Sequence, residues 1–188
     1  KFGALDTEED WACEARRYYF NIVGKYGAQV QAVLKKMTGV EVNAICPLHG
    51  LVLKENLSYY LGLYDTWSAY RPEDEGVLVA YASIYGNTAG AAKKMAELLK
   101  EKGAKKVALT DLARDDMAEA IEDAFRYDKM VLACSTYDGG IFPCMEDFLS
   151  HLKAKNYQKR TVALIENGTW APMSGKKMRE ILESMKDV

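Results

Sequence analysis

The chain has 188 residues, of which 49% are hydrophobic and 28% charged, and its formal net charge at pH 7 is −2. This composition is typical of a globular protein, and the length suffices for one full domain plus part of another. The near-neutral charge argues against a nucleic-acid binder, and no apolar run is long enough to span a membrane. Because the chain starts at Lys1 rather than Met, we expect that it begins inside a longer polypeptide.

The first 70 residues predict helices and one short strand. Residues 11–36 favour a long helical stretch weakened at Gly24 and Gly27, residues 40–45 a strand, and residues 57–67 a helix. Two helices and one strand cannot close a core of their own, so this segment is predicted to end another domain. Pro72 and the acidic stretch after it indicate a boundary between domains 1–71 and 72–188.

From residue 77 onward, apolar runs alternate with amphipathic helices. Strands are predicted at residues 77–82, 107–110, 130–135 and 161–165. Helices are predicted between them and after the last one, starting before Ala91, at Asp116, after Pro143 and near Ser174. Strands and helices that alternate in this way predict an α/β fold with a doubly wound parallel sheet and helices on both faces.

The loop after the first of these strands has the features of an anion site. Free N–H groups of the following helix point into it, Ser83 and Thr88 add hydroxyl donors, and Gly86 and Asn87 tolerate positive φ. It lacks the lysine of a nucleotide-triphosphate loop and the three glycines of a dinucleotide fingerprint, so a terminal monophosphate suits it best. The alternative is an ordinary turn capped by Thr88. The loop comprises Ser83, Ile84, Tyr85, Gly86, Asn87 and Thr88.

Two further loops follow the third and fourth predicted strands and should share an edge of the sheet with the first. Tyr137 and Trp170 could stack on a planar ring whose phosphate tail lies in the first loop, which describes flavin mononucleotide (FMN). Alternatively, Tyr137 is a packed surface ring, Trp170 seals its loop, and Asp138-Gly139 is a plain turn. The second loop comprises Ser135, Thr136, Tyr137, Asp138, Gly139 and Gly140, and the third comprises Asn167, Gly168, Thr169 and Trp170.

These loops resemble those of the flavodiiron proteins, also called A-type flavoproteins. The resemblance rests on residues 80–88, 135–143 and 168–170, and in the first part of the chain on residues 2–5, 16–19, 45–50 and 64–68. It implies a flavodoxin-like domain with strand order 2-1-3-4-5, preceded by the tail of a metallo-β-lactamase-like αββα diiron domain. The fifth strand is absent from this chain and would follow Val188, so we expect the working protein to continue past that residue.

The resemblance also implies a function. In that family FMN passes electrons to a non-haem diiron centre, which reduces dioxygen or nitric oxide. It implies a head-to-tail homodimer or tetramer, reduced by a donor such as rubredoxin or a reductase. From the balanced charge and the apolar runs we expect no nucleic acid or membrane partner, and from the cysteines a cytoplasmic location. His49 would be the last iron ligand, with the remaining ligands upstream of Phe2, whereas on sequence alone His49 is a satisfied loop histidine. No side chain of the flavin domain need act as a nucleophile or base.

Three other functions are alternatives to this one. A receiver domain would need an acidic pair after the first strand and an aspartate ending the third, where Ser83-Ile84 and Ser135-Thr136 stand. A stand-alone FMN shuttle or an NAD(P)H-quinone reductase fits the phosphate loop, but the quinone reductase leaves residues 1–70 without a place.

The cysteines Cys13, Cys46, Cys134 and Cys144 form no C-x-x-C pair, which favours reduced thiols over disulfides or zinc.

Overall fold

The computed structural model describes residues 11–188, so the resemblance at residues 2–5 lies outside the described residues. The N-terminal segment is helical. Helix α1 (Ala12–Tyr18) runs through a π-helical turn (Tyr19–Val23) and a 3₁₀ turn (Gly24–Tyr26) into α2 (Gly27–Lys36), and α3 (Leu57–Ser68) follows. The predicted helical stretch is therefore confirmed, with its regular hydrogen bonding interrupted before Gly27.

The predicted strand at residues 40–45 is wrong. Only Ile45 pairs, through a single antiparallel bridge with Leu53. Within the part of the chain that the structure describes, no neighbouring strand lies along residues 40–44, and Val40 is exposed. A run of apolar and β-branched residues cannot form a ladder without a partner strand, and the Val40 N–H donates instead to the Met37 carbonyl oxygen at 2.9 Å.

The α/β part contains the four predicted strands and the helices between them. The strands are β1 (Asp74–Ala82), β2 (Val107–Asp111), β3 (Tyr127–Tyr137) and β5 (Thr161–Asn167), and a short β4 (Gly140–Ile141) folds back on β3. The helices are α4 (Asn87–Glu101), α5 (Met117–Arg126), α6 (Pro143–Ala154) and α7 (Ser174–Glu183).

The sheet is parallel in the order β2-β1-β3-β5, apart from the antiparallel pair of β3 and β4. In register, Val79 lies between Leu109 and Val131, and Leu132 pairs with Leu164. This is the predicted order as far as its fourth strand, so the doubly wound, flavodoxin-like sheet is confirmed. The fifth strand of the predicted order, which would pair with the free edge of β5, stays a prediction.

Each face of the sheet is covered by helices. Val77, Val79 and Val131 pack on Ala92 and Ala96 of α4. The opposite face packs on α5, α6 and α7 and on the N-terminal segment, where Phe20 stacks on Phe125 with ring centroids 4.2 Å apart. One hydrophobic core therefore runs from the N-terminal segment into the α/β part, across the boundary predicted at Pro72.

Two buried arginines connect the N-terminal segment and the residues after it to the α/β part. Arg16 makes two hydrogen bonds to the Glu73 carboxylate, at 2.6 and 2.7 Å, and contacts Glu122 on α5. Glu73 also accepts the Trp67 indole N–H at 2.7 Å. Among residues 11–188, the side chain of Arg160, before β5, donates only to backbone carbonyl oxygens, at 2.6–3.1 Å: those of Tyr70, Phe125, Tyr127, Gln158 and Lys159.

Candidate functional site

The three predicted loops meet at the carboxyl edge of the sheet, because β1, β3 and β5 are parallel neighbours. They surround a cavity of about 220 Å³. None of the described residues that line it has a charged side chain, so these residues would hold a bound anion through neutral donors. The lining residues are Ser83, Ile84, Tyr85, Asn87, Thr88, Ser135, Thr136, Asn167, Gly168 and Thr169.

The first loop presents the start of α4 to this cavity. Gly86 is the N-cap residue with φ +93°, and no side chain caps the helix. Asn87 is already the first helical residue, so of the expected pair only Gly86 takes the positive φ. The Ser83 hydroxyl oxygen accepts the N–H of Gly86 at 3.1 Å, which fixes the turn. The uncapped N–H groups of the first helical turn and the helix dipole favour an anion here.

Thr88 connects the three loops. Its side chain is buried, with 2% of its surface exposed. Its Oγ1 lies 2.8 Å from Ser135 Oγ of the second loop and accepts a hydrogen bond from Asn167 Nδ2 of the third at 3.1 Å. The sequence predicted Thr88 as a phosphate donor and placed Ser135 and Asn167 in the ring-binding loops, but it gave no indication that these side chains bond to one another.

The second loop is a tight hairpin. Tyr137 and Gly140 pair across it, and Asp138 (φ +47°) and Gly139 (φ +69°) form its left-handed tip. Two successive residues with positive φ are typical of a type I′ turn, and Asp-Gly suits it. The tip residues Asp138 and Gly139 do not line the cavity, and neither does Gly140. The plain-turn interpretation therefore accounts for their conformation.

Of the aromatic residues in the three loops, Tyr85 is part of the cavity lining, whereas Tyr137 and Trp170 lie outside it. Tyr137 is 45% exposed and packs edge-on against Phe142, with centroids 5.5 Å apart. Trp170 is 96% exposed and Tyr85 91%. Large rings exposed to this degree beside a polar cavity leave their faces free for a planar ligand.

The start of α7 is held against the second loop by hydrogen bonds that the sequence did not predict. Thr136 Oγ1 accepts the N–H groups of Met173 and Ser174 at 2.9 and 3.1 Å, which ties the start of α7 to the second loop. Ser174, fully buried, donates to the Cys134 carbonyl oxygen at 3.1 Å. A serine before an amphipathic helix indicates a helix start, but not a contact with the loop after another strand.

His49 lies in the N-terminal segment. It is exposed, its ring is tilted by 32° to the Tyr18 ring with centroids 5.5 Å apart, and it borders an apolar cavity of about 500 Å³ that Tyr60 and Tyr64 also line. Among residues 11–188, no group of three or more His, Cys, Asp or Glu side chains could hold a metal ion. One histidine cannot hold two irons, so its role as an iron ligand stays a prediction.

Together the fold and the three loops define a flavodoxin-like α/β protein with a candidate anion site at the carboxyl edge of its sheet. Residues 78–187 match the model of the Flavodoxin domain family, and the chain belongs to that family. None of its helices, as far as the structure describes the chain, is long and apolar enough to cross a membrane.

Comparison with known proteins extends the likeness beyond this domain. The chain is 23% identical to the anaerobic nitric oxide reductase flavorubredoxin of Escherichia coli over 84% of its own length and 33% of the relative's. A flavo di-iron protein of Thermotoga maritima, in a mutant form, superposes with a TM-score of 0.82 at 26% identity, over 98% of this chain and 48% of that one. For the rubredoxin oxygen:oxidoreductase of Desulfovibrio gigas, the TM-score is 0.89 at 21% identity, over 100% and 48% of the two chains.

These likenesses cover the N-terminal segment as well as the flavodoxin domain, which confirms the resemblance to flavodiiron proteins. The chain spans about a third of the length of the curated relative and about half the length of each of the two structures. The activity of the complete relatives is therefore a proposal, and not a finding, for this chain.

Proposed function

We propose that this chain binds FMN at the carboxyl edge of its sheet and carries electrons for a flavodiiron oxygen or nitric oxide reductase. The observation that carries the proposal is the convergence of three loops around the uncapped start of α4. A phosphate monoester suits this site, because the helix N-terminus and neutral hydroxyl and amide groups surround it, and the lining residues lack a competing carboxylate.

The proposed site divides into two parts. Residues 83–88 would hold the phosphate of FMN, and Thr136, Gly168 and Thr169 would hold its ribityl chain. Tyr137, Trp170 and the turn at residues 138–140 would hold the isoalloxazine ring. A cavity of about 220 Å³ is smaller than the usual range for a complete drug-sized ligand, which supports a ring that lies outside it.

Bound FMN would supply one- and two-electron redox chemistry. The chain's own residues bind and orient the flavin and shield one part of it from water, with aromatic side chains beside the ring. No residue of the α/β part is needed as a nucleophile or general base, since electron transfer requires neither.

For the whole protein we propose the function named in its relatives, reduction of oxygen or nitric oxide at a non-haem diiron centre. The N-terminal segment would then close the diiron domain, with residues 1–71 and 72–188 as the two domain portions and His49 as one iron ligand. The electron donor (rubredoxin or a reductase), the head-to-tail dimer or tetramer and the cytoplasmic location stay predictions.

A flavin titration of the purified chain tests the proposal. Adding the protein to FMN should quench flavin fluorescence to an endpoint of about one FMN per chain. Replacing Trp170 by Ala should weaken binding about tenfold, because a stacked aromatic ring contributes about 1 kcal/mol or more. Leu48→Ala, a change at an exposed residue outside the candidate site, is the matched control and should leave binding unchanged. A wild-type chain that does not quench FMN at micromolar concentration would contradict the proposal.

A further inference from the structure

Thr88 Oγ1 is the point at which the three loops of the candidate site are hydrogen-bonded together. Thr88 and Ser135 are both buried, with 2% and 8% of their surfaces exposed, so their hydroxyl groups have little access to water. Asn167, at the end of β5, reaches Thr88 across the cavity. A hydroxyl proton left without an acceptor in such a place would be costly.

The number of donors and acceptors on these groups determines which hydroxyl proton remains available to a ligand. A threonine hydroxyl has one proton and two lone pairs, and an amide nitrogen can only donate. Asn167 Nδ2 therefore occupies one lone pair of Thr88 Oγ1. When Ser135 donates across the 2.8 Å contact, it occupies the other, and the Thr88 proton has no acceptor in this network. When Thr88 donates to Ser135 instead, the Ser135 hydroxyl proton is the one without an acceptor in this network.

We propose that Ser135 and Asn167 are positioning residues for the phosphate end of the ligand, acting through Thr88, and not contacts of the ring. With both of them donating to Thr88 Oγ1, that hydroxyl can only donate into the cavity. An ionised phosphate ester offers acceptors alone, so the network favours it over a free hydroxyl at the same position. The inference rests on the proposed FMN site and assigns to the second and third loops a task different from that expected of their aromatic residues.

Riboflavin tests this assignment because it has the same ring and ribityl chain as FMN but ends in a hydroxyl. The full chain and its variants would be titrated with each flavin by fluorescence. Asn167→Ala and Ser135→Ala should each weaken FMN binding about 3- to 10-fold, the value of one ordinary hydrogen bond, and change riboflavin binding less than about twofold. Trp170→Ala, the ring control, should weaken both flavins by the same factor.

A double variant separates positioning from independent contacts. Asn167→Ala should add little to the effect of Thr88→Val, because the amide acts through the hydroxyl that the valine lacks. Thr88→Ser, which keeps the hydroxyl, should retain most of the FMN affinity, and the thermal midpoint of each variant checks that it is folded.

Two results would overturn the inference: equal losses for FMN and riboflavin in Asn167→Ala, or additive effects in the double variant. The first would show that Asn167 contacts the ring or the ribityl chain, and the second that it acts without Thr88. A wild-type chain that binds neither flavin would instead contradict the FMN site itself, so the two failures are distinguishable.

Discussion

At the residue scale, Arg16 is a buried cation shared by two carboxylates from different parts of the fold. It is 2% exposed and contacts Glu73 before β1 and Glu122 on α5. Burial opposes the charge of Arg16, but its hydrogen bonds and attraction to Glu73 and Glu122 raise its pKa. Burial raises the pKa of Glu122 above its ordinary value of 4.5, although Arg16 beside it acts in the opposite direction.

Arg16→Met should lower the free energy of unfolding by about 3–5 kcal/mol at pH 7, because it leaves Glu122 charged and buried without its partner. Arg17→Met is the control, since Arg17 pairs with Glu14 and Glu119 nearer the surface, and it should cost less than about 1 kcal/mol. Urea unfolding of both variants measures the difference. Equal losses of unfolding free energy in the two variants would contradict the expectation that the buried ion pairs of Arg16 contribute more than the surface pairs of Arg17.

The Arg16→Met effect should also depend on pH. Without the guanidinium, the pKa of Glu122 in the folded state rises further above its unfolded value, so the folded variant takes up a proton before the unfolded chain does. Lowering the pH from 7 toward 4.5 therefore stabilises the variant relative to wild type, and the gap in unfolding free energy narrows. A gap that is constant over this range would show that lost packing, and not charge, causes the effect.

The cysteines should differ in reactivity. Burial raises the pKa of the Cys134 thiol to about 11, so almost none of it is thiolate at pH 8, and the side chain is inaccessible. Cys46 is exposed and should react first with a disulfide reagent, whereas Cys134 should react only after unfolding. Mass spectrometry of the labelled peptides over time distinguishes the two. Labelling of Cys134 at the rate of Cys46 would contradict its burial.

The residue types of the site were predictable, but their contacts were not. Ser83, Gly86 and Thr88 indicated an anion loop because hydroxyls and glycine before a helix have that chemistry. The bonds from Ser135 and Asn167 to Thr88 depend on the relative register of β1, β3 and β5, which no local pattern specifies. For the same reason the sequence could not tell that Tyr137 and Trp170 stand at the rim.

At the scale of elements, the spacing of apolar residues predicted the helices and the four parallel strands. Buried strands have continuous apolar runs, whereas amphipathic helices have apolar residues every three or four positions. This spacing gave a wrong prediction at residues 40–45, because a strand forms only where a partner strand lies beside it. The two-residue β4 is too short to show a hydrophobic periodicity, and Asp138-Gly139 indicated a turn but not the strand pair on either side of it. The π-helical turn at Tyr19–Val23 brings Tyr19 and Phe20 into the core together, a result of packing that the sequence did not specify.

Glycines in two adjacent helices should respond oppositely to alanine. At Gly27, the first residue of α2, an added Cβ would clash with the Ser68 carbonyl oxygen at the end of α3 and with the Tyr70 ring. Gly27→Ala should therefore destabilise the protein by about 1–3 kcal/mol. Gly62, inside α3, has open space around its Cβ position, and Gly62→Ala should stabilise by about 0.5–1 kcal/mol. Thermal unfolding measures both, and a destabilising Gly62→Ala would contradict the open space.

At the scale of the whole molecule, the hydrophobic core crosses the predicted domain boundary. Trp67 in α3 is fully buried, and Phe20 stacks on Phe125 of α5. The sequence predicted that the N-terminal segment lacks a core of its own, and the described residues of this segment share one core with the α/β part. It could not show that α5 supplies the missing surface, because that contact joins residues about a hundred positions apart.

The N-terminal segment and the α/β part should therefore unfold together. In a Trp11→Phe, Trp170→Phe variant, fluorescence reports Trp67 alone, while far-ultraviolet circular dichroism reports the helices and strands. Both signals should give the same urea midpoint, as expected for one cooperative transition. A fluorescence change at lower urea than the loss of secondary structure would show that the segment detaches first.

Arg160 has a consequence for how the sequence can vary. Its hydrogen-bond partners are main-chain oxygens, which every amino acid provides, so the five residues that hold the guanidinium need not keep their identities for that purpose. Position 160 itself has no such freedom, because lysine cannot match the planar fork of five donors. Among related chains we expect arginine to persist at this position while the side chains at Gln158 and Lys159 change.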